Sequence, residues 1–208
     1  MATETIIAVF LLACVGFFFS VNMSNILRVR KLMRQVKTHA EVKRPSDFVV
    51  GIAALGTFAY FSEVFFYLFL VFTGLNSVLW DFPFRFQFPY IFYTQLLGLV
   101  LTFTGYIVFI WSVVARGRYA VSWEMPENHK LVTWGPYRYV RHPSYLGYFL
   151  MFFGLFFIWP NLPTLLPLLA IPGYFRITLD EEKLLVQRFG DEYVQYQKKT
   201  GRFIPRFR

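Results

Sequence analysis

The sequence predicts an all-α integral membrane protein of about five transmembrane helices, with a helical hairpin near the C-terminus and a short cytosolic helical tail. Three observations predict it. Of the 208 residues, 56% are hydrophobic and only 16% charged, whereas soluble domains carry roughly 25% charged residues. Aromatic residues make up 22% of the chain, with 27 Phe, more than a water-soluble fold of this size could bury. The apolar residues also gather into stretches long enough to cross a bilayer core, which takes about 20 helical residues. This composition excludes intrinsic disorder, coiled coils and secreted disulfide scaffolds. The single cysteine, Cys14, lies in an apolar run and can form neither an intramolecular bridge nor a Cys-rich metal site.

The first apolar stretch, 6–27, has no basic residue before it and a dense basic cluster after it. A secretory signal has the reverse polarity, so the stretch is expected to be retained as an anchor. Stretches 48–75 and 90–115 each read as one crossing. The fourth, 145–175, is interrupted by Trp159, Pro160, Asn161, Leu162 and Pro163. Pro163 pre-sets turn or first-turn geometry, which divides the stretch into two shortish helices. A kinked single helix, giving four crossings, is the rival count.

Orientation follows from the cations. Seven Lys or Arg lie in 28–44, five in 116–142 and eight from Arg176 onward, leaving Arg85 alone on the other side. The positive-inside rule therefore places the N-terminus outside and the C-terminus in the cytosol. The net charge of +9 reads as topology and contact with anionic membrane lipids, and no nucleic-acid partner is expected. The chain is read as one membrane domain, with three N-terminal helices in 1–115 and the catalytic and cofactor-binding part in 116–208. The polar mass lies in the loop 116–144 and the tail 176–208, so chemistry on soluble reagents belongs there.

In the tail, Asp180, Glu181 and Glu182 suit the start of a short helix, Leu184, Leu185 and Phe189 form its apolar stripe, and Gly190 suits its end. Asp191 is read as the cap of a second helix carrying Tyr193 and Tyr196, ending at Gly201 before Pro205. Arg176 precedes Asp180 by four residues, which puts a polar face beside the stripe at the membrane exit. In the loop, Gly135 and Pro136 force a turn, and Pro143 holds His142 extended just before the next span. A histidine fixed there between Arg141 and Tyr145 is placed to face a polar ligand. No metal is expected, because the histidines lack a third ligand at a recognisable spacing. Glu63 lies near the centre of the second span, where an ionisable group is expensive; it is read either as paired with Gln95, Asn22 or a neighbouring helix, or as a substrate or proton site.

Two strings carry a resemblance. HKLVTWGPYRYVRHPSYLG, from His129 to Gly147, and EEKLLVQRFGDEYVQYQKKTGRFIP, from Glu181 to Pro205, together resemble the isoprenylcysteine carboxyl methyltransferase and phospholipid methyltransferase superfamily in content, order and separation. The resemblance covers roughly the C-terminal 90 residues; the first three spans agree only as membrane helices. It implies a membrane methyltransferase that binds S-adenosyl-L-methionine in a cytosolic pocket without a Rossmann domain, and the sequence has no Gly-rich strand-to-helix turn. It further implies cofactor contacts at His129, Leu131, Tyr137, His142, Tyr145, Gly147, Glu181, Glu182 and Tyr193, with Phe189 and Tyr196 on the same motifs, and catalytic roles for Arg176, Glu181 and His142. The acceptor would be lipophilic and enter from the bilayer: a prenylcysteine carboxylate, a phospholipid amine or a thiol. A carboxylate needs no general base at neutral pH, whereas an amine or thiol does, and His142 has a suitable pKa for that task. The competing expectations are a sterol or steroid-type reductase using NADPH and a non-enzymatic transporter or assembly protein.

Overall fold

A computed structural model describes residues 2–33, 46–82, 84–119 and 129–206. Most of the basic cluster, 34–44, and the loop segment 120–128 lie outside the described residues. Seven α-helices are described: α1 (Ala2–Met33), α2 (Asp47–Phe72), α3 (Asn76–Trp80), α4 (Ile91–Arg116), α5 (Pro143–Ile158), α6 (Ala170–Phe189) and α7 (Asp191–Lys199). Three of them, α1, α2 and α4, are long and apolar enough to cross a membrane, and α5 is apolar but shorter. Each long helix buries one stripe and leaves apolar residues uncovered on the other. On α1, Ile7, Leu11, Val15 and Phe18 recur at helical spacing and are buried, while Ile6, Val9 and Phe17 are exposed. The same holds for Leu55 and Phe58 on α2 and for Phe92 and Phe103 on α4, a surface suited to lipid rather than water.

The closest packing is between α4 and α5. A Cβ on Gly147 would stand 2.8 Å from the Gly105 carbonyl oxygen, and one on Gly154 would stand 2.9 Å from that of Gly98. Small residues at these crossings let the two backbones touch, as membrane helices commonly do. One turn beyond the glycines, Ser112 and Ser144 hydrogen-bond at 2.7 Å. Helix α6 packs chiefly along α2 and meets α5 through side chains, with Tyr174 stacked on Tyr148 and the Tyr145 hydroxyl donating to Glu181. Between them, Pro163 opens a 3-10 helical segment, Pro163–Leu169, as its ring geometry favours. Asn161 and Thr164 close the preceding turn, and the backbone of 84–86 pairs with 160–162.

Two local expectations change. The acidic triplet Asp180, Glu181 and Glu182 does not begin a tail helix, because α6 passes through it without a break. Nothing in Ile177, Thr178 or Leu179 stops a helix, so the last apolar segment and the first tail segment form one rod. Asp191 is the first residue of α7 rather than its cap, which is Gly190 at φ 54°. For Glu63, neither named amide is a partner: Asn22 donates to the Phe18 carbonyl and Gln95 to that of Ile158. Its Oε2 is buried without a hydrogen bond among the described residues.

Candidate functional site

A narrow cleft opens where α4 ends, α5 begins and α6 and α7 meet the loop, enclosing about 610 Å³ of atom-free space with its mouth counted. Its lining residues all fall between Arg116 and Tyr196. Of the residues singled out from sequence, it brings together His129, Leu131, Tyr137, His142, Tyr145, Glu181, Tyr193 and Tyr196. Residues from 129–145 thus face residues from 181–196, which sequence separates by a pair of helices.

Backbone pairing holds the two motifs together. Arg141 N–H donates to the Gly201 carbonyl and His142 N–H to that of Arg202, at 2.9 and 3.1 Å. The chain then doubles back so tightly that a Cβ on Gly201 would collide with the Ile204 carbonyl oxygen, so only glycine fits. The Tyr196 hydroxyl donates to the Tyr137 carbonyl at 2.6 Å and fixes α7 against the loop.

Glu182 lies behind the cleft and joins these parts. It is buried, and its Oε1 receives Arg141 Nε at 2.9 Å, Arg202 Nε at 3.1 Å and His142 Nε2 at 3.1 Å. Its Oε2 receives Arg202 Nη2 at 2.8 Å and Gln197 Nε2 at 3.1 Å. Burial alone would raise its pKa, but the bonds from His142, Arg202 and Arg141 reverse this and hold it well below the usual carboxylate range. With both oxygens occupied, Glu182 is a clamp for the tail and presents no free acceptor to a ligand.

Glu181 does line the cleft. Its Oε1 accepts the Tyr145 hydroxyl at 2.7 Å, and its Oε2 lies 3.4 Å from His142 Nδ1. His142 is therefore held by a carboxylate on each ring nitrogen. Its burial favours the neutral ring, yet the bonds and charges of Glu181 and Glu182 prevail and raise its pKa. With a carboxylate facing each ring nitrogen, His142 is placed to position Glu181. His129, across the cleft, is the opposite case: burial first, then the charge of Arg188, lowers its pKa and favours the neutral ring.

Three sequence-predicted residues lie elsewhere. Gly147 packs on Gly105 and makes the α4–α5 contact. Glu182 stands behind the lining. Arg176 is exposed and lines a separate, larger apolar groove of about 1190 Å³ of atom-free space, its mouth counted, between α2 and α6, with Ile52, Leu55, Leu169 and Pro172 among its walls. Helical geometry accounts for this: five residues separate Arg176 from Glu181, which turns it about 140° around α6 from the cleft face. Residues that sequence reasoning missed are Arg116, Tyr119, Arg141 and Ser144. In the sequence Arg116 reads only as a topology charge, although it lies one helical turn from Ser112.

Buried polar atoms without partners mark where a ligand would complete the structure. Among the described residues, three such atoms belong to the cleft's lining: Arg116 Nε, His129 Nδ1 and Tyr193 Oη. No group of acidic, histidine or cysteine residues suited to a metal occurs among the described residues.

Residues 93–192 match the family described as phospholipid methyltransferase. Over that stretch, just under half of its length, the chain resembles this family. The phospholipid methyltransferase segment runs from α4 to the start of α7 and contains the whole cleft lining except Tyr193 and Tyr196. The protein-S-isoprenylcysteine O-methyltransferase of Schizosaccharomyces pombe is 48% identical over 82 residues, 38% of this chain and 34% of the relative. That of Tribolium castaneum is 28% identical over 179 residues, 83% of this chain and 57% of the relative. A probable protein-S-isoprenylcysteine O-methyltransferase of Oryza sativa subsp. indica is 31% identical over 118 residues, 54% of this chain and 62% of the relative. The chain thus spans between 34% and 62% of the length of these relatives, and these matches extend the kinship to the superfamily uniting isoprenylcysteine and phospholipid methyltransferases.

Proposed function

We propose that the chain is an integral membrane methyltransferase that uses S-adenosyl-L-methionine and acts on the carboxylate of a lipophilic acceptor, of the prenylated-cysteine kind. The observation that carries the reading is the convergence of three unpartnered buried polar atoms, on Arg116, His129 and Tyr193, around one cleft within the methyltransferase segment. The donor set suits this cofactor. Glu181 can accept hydrogen bonds from ribose hydroxyls or an amino group, Tyr145 and Tyr193 offer ring faces to a cation, and Leu131 and Leu185 give apolar walls. When bound, the cofactor supplies an electrophilic methyl group on a sulfonium.

The chain's own residues then have three tasks. Tyr145 and His142 fix the Glu181 carboxylate so that it meets the ligand in one orientation, which matters because in-line displacement depends on alignment. The Glu182 clamp keeps the tail closed over the loop and excludes water. Both ring nitrogens of His142 are taken up by carboxylates, at 3.4 and 3.1 Å, rather than turned to an acceptor, which favours an acceptor already ionised at neutral pH. The relatives' names point to the same acceptor class.

The apolar groove between α2 and α6 is the lateral route for the lipid part of the acceptor in this reading, with Arg176 on its lining. In this reading the chain crosses the membrane five times, with α5 and α6 as a hairpin, its N-terminus outside and its C-terminus in the cytosol. The first three crossings form the N-terminal part, 1–115, and 116–208 carries catalysis. Calorimetry with S-adenosylhomocysteine on protein in detergent tests the cleft. His129→Ala and Glu181→Ala should each weaken binding at least tenfold, by loss of a hydrogen bond to a charged or buried partner. Unchanged affinity in both variants would count against the assigned pocket.

A further inference from the structure

We propose that Arg116 is the carboxylate-binding residue of the cleft, gripping either the amino-acid end of the cofactor or the acceptor. This rests on the methyltransferase reading above and adds to it a residue outside both sequence motifs.

Arg116 is the last residue of α4 and lines the cleft. Its position is fixed by its neighbours rather than by partners of its own. One turn earlier Ser112 bonds to Ser144, which locks α4 to the start of α5 beside Tyr145. On the other flank Trp134 Nε1 donates to the Ala115 carbonyl at 2.9 Å, and Gly135 would place a Cβ 2.8 Å from that of Ala115. The last turn of α4 is thus held between loop and α5, with Arg116 lining the cleft together with Tyr119, Tyr145 and Glu181.

An arginine at a helix C-terminus ordinarily serves the carbonyl end of the helix. Here two of those carbonyls are otherwise engaged, Ala115 by Trp134 and Val113 by the Gly117 N–H. Arg116 forms no ion pair with a described acid, and its Nε is buried without a hydrogen bond among the described residues.

The charge inventory points the same way. Arg141 is matched to Glu182 at 2.9 Å, and His142 lies between Glu181 and Glu182 at 3.4 and 3.1 Å. Among the described residues, Arg116 is the cation of the lining left without a counter-charge, and its field reaches the hydroxyls of Tyr145 and Tyr148. A planar guanidinium with free, partly buried donors is the group that best recognises a carboxylate, in a two-pronged grip that lysine cannot reproduce. Arg176 cannot take this role in the cleft, because it lies on the far side of α6.

Calorimetry on the full chain in detergent, with S-adenosylhomocysteine and with 5′-methylthioadenosine, which lacks the amino-acid carboxylate, separates the cases. If Arg116 grips the cofactor, Arg116→Ala and Arg116→Lys should both weaken S-adenosylhomocysteine binding about ten- to hundredfold, as for a charged hydrogen bond, and leave 5′-methylthioadenosine within about twofold. The retained binding of the shorter ligand also reports that the cleft is folded. If it grips the acceptor, binding of both ligands survives, while the KM for a farnesylcysteine acceptor rises or turnover falls by a similar factor. Arg138→Ala, at an exposed arginine of the same loop, should change none of these. Wild-type binding of both ligands together with wild-type transfer kinetics in Arg116→Ala would overturn the assignment. Failure of the wild-type chain to bind S-adenosylhomocysteine at all would instead remove the methyltransferase reading, and this inference with it.

Discussion

Glu182 is the side chain on which the geometry of the cleft most depends, and Glu182→Gln isolates its charge with little change of shape. In the native chain this carboxylate answers Arg141, whose side chain is 8% exposed, Arg202, 26% exposed, and His142, 6% exposed. Glutamine keeps one acceptor but turns an amide N–H₂ toward groups that are themselves donors. Arg202 can move into solvent, whereas Arg141 remains buried with an unanswered charge. Breaking a buried pair in this way costs about 3 to 5 kcal/mol, and the exposure of Arg202 sets the expectation at the lower end of that range. Thermal unfolding in detergent should therefore fall by several degrees, and S-adenosylhomocysteine affinity should fall with it as the tail loosens. The pH dependence gives an independent check. Glu182 has a folded pKa below its unfolded value of about 4.3, so its contribution is present above that value and is lost as pH falls through the lowered folded one. His142 has a raised folded pKa, so its contribution is full below its unfolded value of about 6.5 and is lost as pH rises through the raised one. Wild-type stability should therefore peak between those limits, and Glu182→Gln should flatten the acid limb. A variant with wild-type unfolding temperature, pH profile and affinity would refute the clamp.

Gly147→Val should destabilise the protein by about 1 to 3 kcal/mol, the usual cost of overpacking, because its Cβ would meet the Gly105 carbonyl and Phe109; a wild-type unfolding temperature would show that α4 and α5 do not touch there. Arg176→Ala should leave S-adenosylhomocysteine affinity within about twofold while raising the KM for a lipidated acceptor, as expected of lost uniform binding, and a collapse of cofactor affinity would return Arg176 to the cleft. For topology, a cysteine-free background carrying Phe84→Cys or Arg206→Cys, both exposed positions, should react with an impermeant thiol reagent in sealed cells at position 84 alone. Labelling at position 206 alone would reverse the proposed orientation.

Much of this arrangement is legible in the chain because it follows from composition and local geometry. The long apolar stretches become α1, α2 and α4, the Pro163 break separates α5 from α6, and the two polar segments converge as their shared motif content implies. What sequence reading misplaces depends on rotation about a helix axis or on backbone contact. Arg176 is near Glu181 in sequence but about 140° away around α6, a figure the spacing contains once a continuous helix is recognised. Continuity was hidden because an acidic triplet resembles a helix start. Gly147 belongs to the motif, yet its role is to let α5 touch α4, a contact that has no signature without its partner Gly105. Arg116 carries no local signal beyond its charge, since its lack of partners is a property of the assembled fold. The raised pKa of His142 likewise depends on two carboxylates about forty residues away.

The most direct measurement is transfer of tritium from methyl-labelled S-adenosyl-L-methionine by the purified chain in detergent, with a farnesylcysteine acceptor set against a phospholipid amine and a small thiol. Methyl esters release volatile methanol in base, whereas N-methyl and S-methyl products do not. The account predicts label in the farnesylcysteine product, released by base and reduced by Glu181→Ala. Base-stable label on the amine or thiol would contradict the assigned acceptor, and no transfer to any of the three, with no binding of S-adenosylhomocysteine, would contradict the assigned chemistry.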